Sequence, residues 1–212
     1  MIHIAIDGPA GSGKSTVAKI LSRKLNISYI DTGAMYRAVT LKLKDFDPKD
    51  FNRILRETSI DFIGQDIFLD GKNVSSEIRS EEISRLTSDF SKIDFIREKL
   101  VDLQRKIAEK KSCVMEGRDI TTVVLPHAKY KFFLSAAPEV RAKRRYDQLL
   151  EKNMLADYNK ILEDLKKRDE NDMNRENSPL KVGDDVTFID SSDLNGEETA
   201  DLIISKIGEG HV

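Results

Sequence analysis

Short apolar runs alternate along the chain with stretches whose apolar residues recur at helical spacing. The first run, Ile2 to Ile6, stops at Asp7-Gly8-Pro9, which marks the end of a buried strand. Val17, Ala18, Ile20, Leu21 and Leu25 then share one face of a helix from Ser15 to Leu25. A second strand, Ile27 to Ile30, leads through Thr32-Gly33 into a helix from Ala34 to about Leu43, and Pro48 opens another through Leu55. Ile60 to Leu69, with Gly64 and Gln65 in the middle and Gly71 behind, predicts a hairpin followed by a turn. Ser80 to Lys110 reads as helix with a break near Asp94. Cys113 to Met115 and Tyr130 to Leu134 are further strands, with Phe132 and Phe133 in the core. Pro138 sits in the first turn of a helix to about Leu150, where its missing N–H costs nothing. A long charged helix from Asp157 to Asn171, a strand from Val186 to Ile189 and a helix from Glu197 to Ile207 complete the chain.

Strands alternating with helices imply an α/β fold around a parallel sheet. The strands are apolar throughout, as expected when helices cover both faces. The hairpin interrupts this rhythm and reads as part of an insertion at the sheet's edge.

Composition narrows the function classes. At 34% charged and 39% hydrophobic residues, the 212-residue chain fits a soluble globular protein and excludes collagen-like and disordered chains. Lys and Arg number 35 against 37 Asp and Glu, so any anion site must be a local concentration of arginine rather than a general basic surface. A single cysteine, Cys113, excludes an internal disulfide and a thiolate metal cluster within one chain, and cytoplasmic residence is expected. The first apolar run is too short for a secretory signal, and nothing approaches the ~18 apolar residues of a membrane span. His3, His127 and His211 lack metal-ligand spacing, and no interleaving of aromatic and basic residues suggests a nucleic acid polymer.

The sharpest chemical signal is Gly8-Pro9-Ala10-Gly11-Ser12-Gly13-Lys14-Ser15, a complete G-x-x-x-x-G-K-S between a strand and a helix. Glycines let backbone N–H groups wrap a phosphate, and the helix dipole points at the same anion. Lys14 is expected to reach the β- and γ-phosphates, touching only solvent and ligand, and Ser15 to offer a hydroxyl to Mg²⁺. The loop implies a nucleoside triphosphate without saying what becomes of it. The guanine-reading Asn-Lys-x-Asp is missing, since Asn159-Lys160 continues Ile-Leu, and Asp31 and Asp190 are both available as strand-end carboxylates. Transfer to a small acceptor would require a second anion site.

Arginines at element ends could build one. Arg37 follows Asp31-Thr32-Gly33-Ala34-Met35-Tyr36, Arg97 lies beyond Thr87-Ser88, and Arg118-Asp119 follow the strand that ends near Met115. The last two occupy the carboxyl edge of the sheet, where α/β folds bind ligands. Arg168, Asp172 and Arg175 share a helical face, either a solvated stripe or one wall of an anion site. Arg141, Arg144 and Arg145 precede a segment from about Leu149 to Asp157, either as a solvated helix or as a lid bringing guanidinium to phosphate.

Together these blocks resemble the bacterial cytidylate kinases, members of the nucleoside monophosphate kinase family. The resemblance spans essentially the whole chain: Ile6 to Lys14, Asp31 to Arg37, Val74-Ser-Ser-Glu-Ile-Arg79, Glu116 to Asp119 with Thr122 to Pro126, and Arg168 to Arg175. It implies a P-loop NTPase-type parallel sheet flanked by helices, with core 1–25 and 112–212, an NMP-binding insertion at about 26–111 and a lid at about 142–157. It implies transfer of the ATP γ-phosphoryl group to CMP or dCMP with Mg²⁺, by a monomer whose partners are those nucleotides and no membrane. By the same resemblance, Gly8 through Thr16 and Arg144 hold ATP, and Lys14, Arg118 and Arg175 serve catalysis. Thr32, Arg37 and Arg118 meet the acceptor, with the phosphate on the two arginines; Ser88, Arg97 and Asp119 meet the cytosine. Arg168 and Asp172 meet the pentose, and Arg175 lies close to the phosphates. The chain departs from many relatives at Thr121, where they have glycine. A nucleotide switch without an acceptor, or a kinase of UMP or AMP, would share the phosphate loop.

Overall fold

The computed structural model describes residues 1–151 and 153–209. Lys152, inside the expected lid, and residues 210–212, at the end of the expected core and including His211, lie outside the described residues. In chain order the elements are β1 (His3–Asp7), α1 (Lys14–Leu25), β2 (Ser28–Asp31), α2 (Thr32–Leu43), α3 (Phe51–Glu57), β3 (Ile60–Ile63), β4 (Asp66–Leu69), β5 (Lys72–Asn73), α4 (Glu81–Phe90), α5 (Asp94–Ala108), β6 (Cys113–Gly117), β7 (Tyr130–Ser135), α6 (Pro138–Glu151), α7 (Tyr158–Asn174), β8 (Thr187–Asp190) and α8 (Gly196–Glu209). No helix among the described residues is long and apolar enough to cross a membrane.

Five strands form one sheet in the order β2-β6-β1-β7-β8, every neighbouring pair parallel. Period-two alternation divides its residues between two cores. Ile4, Ile6, Val114, Phe132 and Leu134 face α1 and α8, meeting Val17, Leu21, Ala200 and Ile203. Ala5, Ile30, Cys113 and Met115 face the other way, toward Val101 and Ala108 of α5 and Ile120 and Val124. β8 departs from the expectation of strands covered on both faces: only Ile189 is buried, because β8 is an edge strand paired to β7 alone, and exposed Phe188 is left to stack on Phe133 at 5.9 Å.

The expected insertion, residues 26–111, begins and ends against this sheet, with β2 paired to β6 and α5 on one face. Between them α2, α3, α5 and the antiparallel β3-β4-β5 share a third core around Met35, Leu43, Phe51, Ile67, Ile78 and Leu100. The expected hairpin thus gains a short third strand, Lys72–Asn73, paired with Phe68 and Leu69. The helical stretch after Ser80 breaks between Phe90 and Asp94, and Ser80 caps its first half through Ile83 N.

The sheet positions the chemistry. β1 lies between β6 and β7, so the loops leaving the carboxyl ends of β1, β2 and β6 converge at one edge.

Candidate functional site

At the end of β1 the backbone of Gly8 lies so close to β7 that a Cβ there would sit 2.0 Å from the Leu134 carbonyl oxygen, which excludes any side chain. Gly13, at φ 90°, turns the chain into α1 with no side chain capping the helix. The first N–H groups of α1 therefore remain available to an anion, reinforced by the helix dipole.

Lys14 differs from expectation. It is buried, and its Nζ donates to the Pro9 carbonyl at 2.7 Å and Ser12 Oγ at 3.4 Å rather than touching only solvent. Removal from water, with repulsion from Arg118, pushes its pKa down to about 7, against the attraction of Glu116 and Asp7. The neighbouring strand end supplies Glu116, in register with Asp31 of β2 and accepting the Tyr29 hydroxyl at 2.7 Å. Burial and the nearby Asp31 push the Glu116 carboxyl up, against Lys14 and a hydrogen bond from the Ser15 hydroxyl.

The arginines converge on the same edge. Arg37 pairs with Asp31 at 3.1 Å, while Asp31 also caps α2 through Ala34 N at 2.8 Å. Thr32 donates to the Glu116 carbonyl at 2.7 Å. Arg118 Nε donates to Asp172 at 2.7 Å; burial opposes both charges, yet the pair prevails, raising the arginine's pKa and lowering the aspartate's. Arg168, desolvated and repelled by Arg118 and Arg37, falls to about 10. Arg97 is buried, bonds Asp119 through Nη2 and the Ser91 carbonyl through Nη1 at 3.0 Å, and lies 5.4 Å from the centre of the Tyr36 ring. Arg175 donates to the Ser178 carbonyl at 2.5 Å, and burial plus repulsion from Arg97 lowers its pKa. Arg168 and Asp172 of α7 are half-buried rather than a solvated stripe, whereas α7 ends at Asn174 and leaves Arg175 in extended backbone just past the expected helical face. Half-buried Ser88 lies on α4, where its carbonyl accepts the Ser91 hydroxyl at 3.1 Å.

Arg144 is turned to the loop after β8, donating to the carbonyls of Ser191 at 2.6 Å and Leu194 at 3.0 Å. Its neighbour Arg141 touches the phosphate loop instead, donating to the Ala10 carbonyl at 2.8 Å and to Asp169 at 2.6 Å, while Asp169 accepts from Ala10 N at 3.2 Å. Arg145 is exposed.

Arginines that repel one another, held by only one or two acids or carbonyls apiece, leave hydrogen-bonding capacity unspent. Among the described residues five polar side-chain atoms are buried with no partner: Gln104 Nε2 on α5 and, among the residues described above and Tyr36 beside them, Arg37 Nε, Arg97 Nε, Arg175 Nη2 and the Tyr36 hydroxyl. A buried polar atom without a partner costs about 1–3 kcal/mol, and functional sites are where such atoms persist. Tyr36, Glu116 and Asp169 were not singled out by the sequence as site residues, and Arg141, read there as a solvated or a lid arginine, instead braces the phosphate loop. For Glu116 the signal was available: a carboxylate at the end of the strand beside the phosphate loop.

Comparison with known proteins places the chain in a family. A family model described as cytidylate kinase matches residues 4–209. The chain is 50% identical over 211 residues to the cytidylate kinase of Caldanaerobacter subterraneus subsp. tengcongensis, covering 97% of this chain and 94% of that one. It is 47% identical over 210 residues to that of Fervidobacterium nodosum, with 97% and 96% covered. It is 46% identical over 209 residues to that of Clostridioides difficile, with 96% and 97% covered. A solved structure of an uncharacterized protein from Eubacterium ventriosum shares the fold, with a TM-score of 0.58 over 98% of both chains at 20% identity. With a phosphate loop, a facing arginine cluster and this similarity along its length, the chain belongs to the cytidylate kinase family.

Proposed function

We propose that the chain carries out the reaction of its family, transfer of the ATP γ-phosphoryl group to the phosphate of CMP or dCMP, through two anion sites at the edge formed by β1, β2 and β6. The observation that supports this most is the set of buried, partnerless atoms on Arg37, Arg97, Arg175 and Tyr36. Three are donors and the fourth is a hydroxyl, which suits a ligand carrying phosphate oxygens and a base with ring acceptors.

The acceptor is an ionised phosphate, so no general base is required, and catalysis consists of alignment and charge neutralisation. The loop Gly8–Thr16 and α1 hold the ATP phosphates, and Lys14 exchanges its bond to Pro9 for one to a phosphate oxygen. Arg37 and Arg118 hold the acceptor phosphate, and Arg175 lies toward the group in transit. Arg168 and Asp172 hold the sugar, with Asp172 shared between Arg118 and a hydroxyl. Asp119, with Arg97 and Ser88, reads the base: an ionised carboxylate only accepts and suits the N4 amine of cytosine, whereas a guanidinium only donates and suits N3 or O2. The lid of this reading takes in residues 142–151 and 153–157, in which exposed Met154 and Leu155 lie between α6 and α7. Arg144 moves with that lid onto ATP. Lid closure excludes water that would otherwise hydrolyse ATP.

Kinases using ATP generally need a divalent metal. Ser15 and Glu116 offer oxygen donors side by side, the chemistry a hard cation prefers, so we assign Mg²⁺ to Ser15 with Glu116 behind it. When bound, the ion neutralises charge on the ATP phosphate oxygens.

The test is ADP release in a coupled assay with CMP, dCMP, UMP and AMP in turn. The proposal requires release that depends on the acceptor and is fastest with CMP or dCMP. Slow release indifferent to the acceptor refutes it.

A further inference from the structure

Asp119 begins the turn Ile120–Val124, a π-helical turn in which its carbonyl accepts from Val123 N at 2.8 Å and Val124 N at 3.1 Å. An aspartate that opens an α-helix ordinarily folds its carboxylate over the first free N–H groups of that helix. Here it does not. Those donors are taken by Asp7, at the end of β1: Oδ1 accepts from Ile120 N at 2.8 Å and Oδ2 from Thr121 N at 2.7 Å. Oδ2 also accepts the Thr121 hydroxyl at 2.6 Å. Asp7 is fully buried and in register with Gly117, where a Cβ would lie 2.6 Å from Thr32 Oγ1 and 2.7 Å from Ile120 Cδ1. The segment leaving β6 therefore has little room to move. Thr121 is not at a positive φ, so its side chain adds a bond without strain.

We propose that Asp7 and Thr121 are positioning residues for base recognition: the Asp7 carboxylate caps the 120–124 turn from outside, which releases the Asp119 carboxylate to face Arg97 and the acceptor base. This rests on Asp119 reading the base. Asp7 immediately precedes Gly8, so the same side chain ties the phosphate loop to the base-reading loop. Weakening the cap lets Asp119 fold back onto its own turn and loosens the choice between cytosine and uracil, while binding of ATP to the loop is untouched.

The ionised form of Asp7 is the one that accepts three bonds. Burial and the like charge of Asp119 push its pKa up to about 6, against the Thr121 and Ile120 bonds, and Lys14 is the cation facing it. Its strand partners Gly117 and Phe133 do not titrate. Removing the Thr121 hydroxyl raises the Asp7 pKa further, so cap and base discrimination are lost at higher pH than in the parent.

The experiment is kcat/KM for CMP and UMP in the parent, Thr121→Val, Thr121→Ser and Thr121→Gly, with KM for ATP and the pH profile of the CMP reaction. Losing one bond to a carboxylate should lower the CMP-to-UMP ratio about threefold to tenfold in the Val and Gly variants. It should also move the acid limb of the CMP profile upward, with KM for ATP unchanged and the Ser variant like the parent. A merely structural hydroxyl would lower both substrates together, so an unchanged ratio in the Val and Gly variants overturns the proposal. Should Thr121→Val not fold, the Gly variant alone decides. Asp119→Asn in the same series separates the two levels: an unchanged ratio there removes Asp119 as base reader, whereas a changed ratio there with none at Thr121 removes only the cap.

Discussion

Replacing Lys14 by methionine should destroy activity and stabilise the free protein. Lys14 is buried beside Arg118 and Arg168, and its pKa falls from the ordinary 10.5 to about 7. That difference corresponds to about 5 kcal/mol against the charged form in the fold. Losing its bonds to Pro9 and Ser12 costs about 1–3 kcal/mol in return. Below pH 7, with nucleotide absent, Lys14→Met should therefore be more stable by about 2–4 kcal/mol, roughly 5–10 °C in Tm for a chain of this size. The sign of the pH dependence follows from the depressed pKa. Folded Lys14 releases its proton near pH 7 while the unfolded chain holds one to about 10.5, so parent stability rises across that window. The advantage of the variant should shrink by about 3 kcal/mol between pH 6 and pH 9. Thermal unfolding of both proteins at pH 6 and pH 9 measures this, and ADP formation should fall by about 10³-fold or more. A variant less stable than the parent at pH 6, or a difference equal at the two pH values, would refute the view of Lys14 as a buried charge awaiting phosphate.

Other substitutions should separate the arginines by role. Arg37→Ala should raise KM for CMP about 10–100-fold, whereas Arg175→Ala should act mainly on kcat, since its free Nη2 is assigned to the group in transit. Equal small effects in steady-state kinetics would make both arginines structural. Asp172→Ala removes the partner of Arg118 and the proposed sugar contact, so the preference between CMP and dCMP should narrow by about tenfold. An unchanged preference in competition assays would place Asp172 away from the sugar.

The parallel sheet and the phosphate loop were legible in the sequence because local chemistry fixes both. β-branched runs closed by Gly and Pro have few alternatives, and Gly8 and Gly13 stand where the backbone tolerates little else. β5 was not legible, since Lys72–Asn73 has no apolar pattern and is a strand only through pairing with β4. The exposure of Phe188 was hidden because edge strands and central strands are written with the same residues. Lys14 was misjudged, as no pattern reveals that a lysine will turn back onto its own loop. The acceptor arginines come from distant segments: Arg97 meets Asp119 across 22 positions and Arg118 meets Asp172 across 54. No periodicity joins such residues, and only resemblance to a family assembled them in advance. Asp7 looked like the polar end of a strand, and its three bonds to the 120–121 segment exist only once β1 and β6 are paired.

Recognition of cytosine by Asp119 and Arg97 is tested most directly by kcat/KM for CMP and UMP in the parent and in Asp119→Asn. If Asp119 and Arg97 read the base as proposed, UMP would set its O4 against the Asp119 carboxylate and its N3–H against Arg97, leaving buried polar groups unpaired, and sites of this kind reject the wrong analogue by up to about 10⁴–10⁵-fold. The parent should strongly prefer CMP, and Asp119→Asn should lose activity on CMP while the CMP-to-UMP ratio falls, because the amide can donate to O4. Equal use of the two nucleotides by the parent, or the same ratio in both proteins, would contradict it.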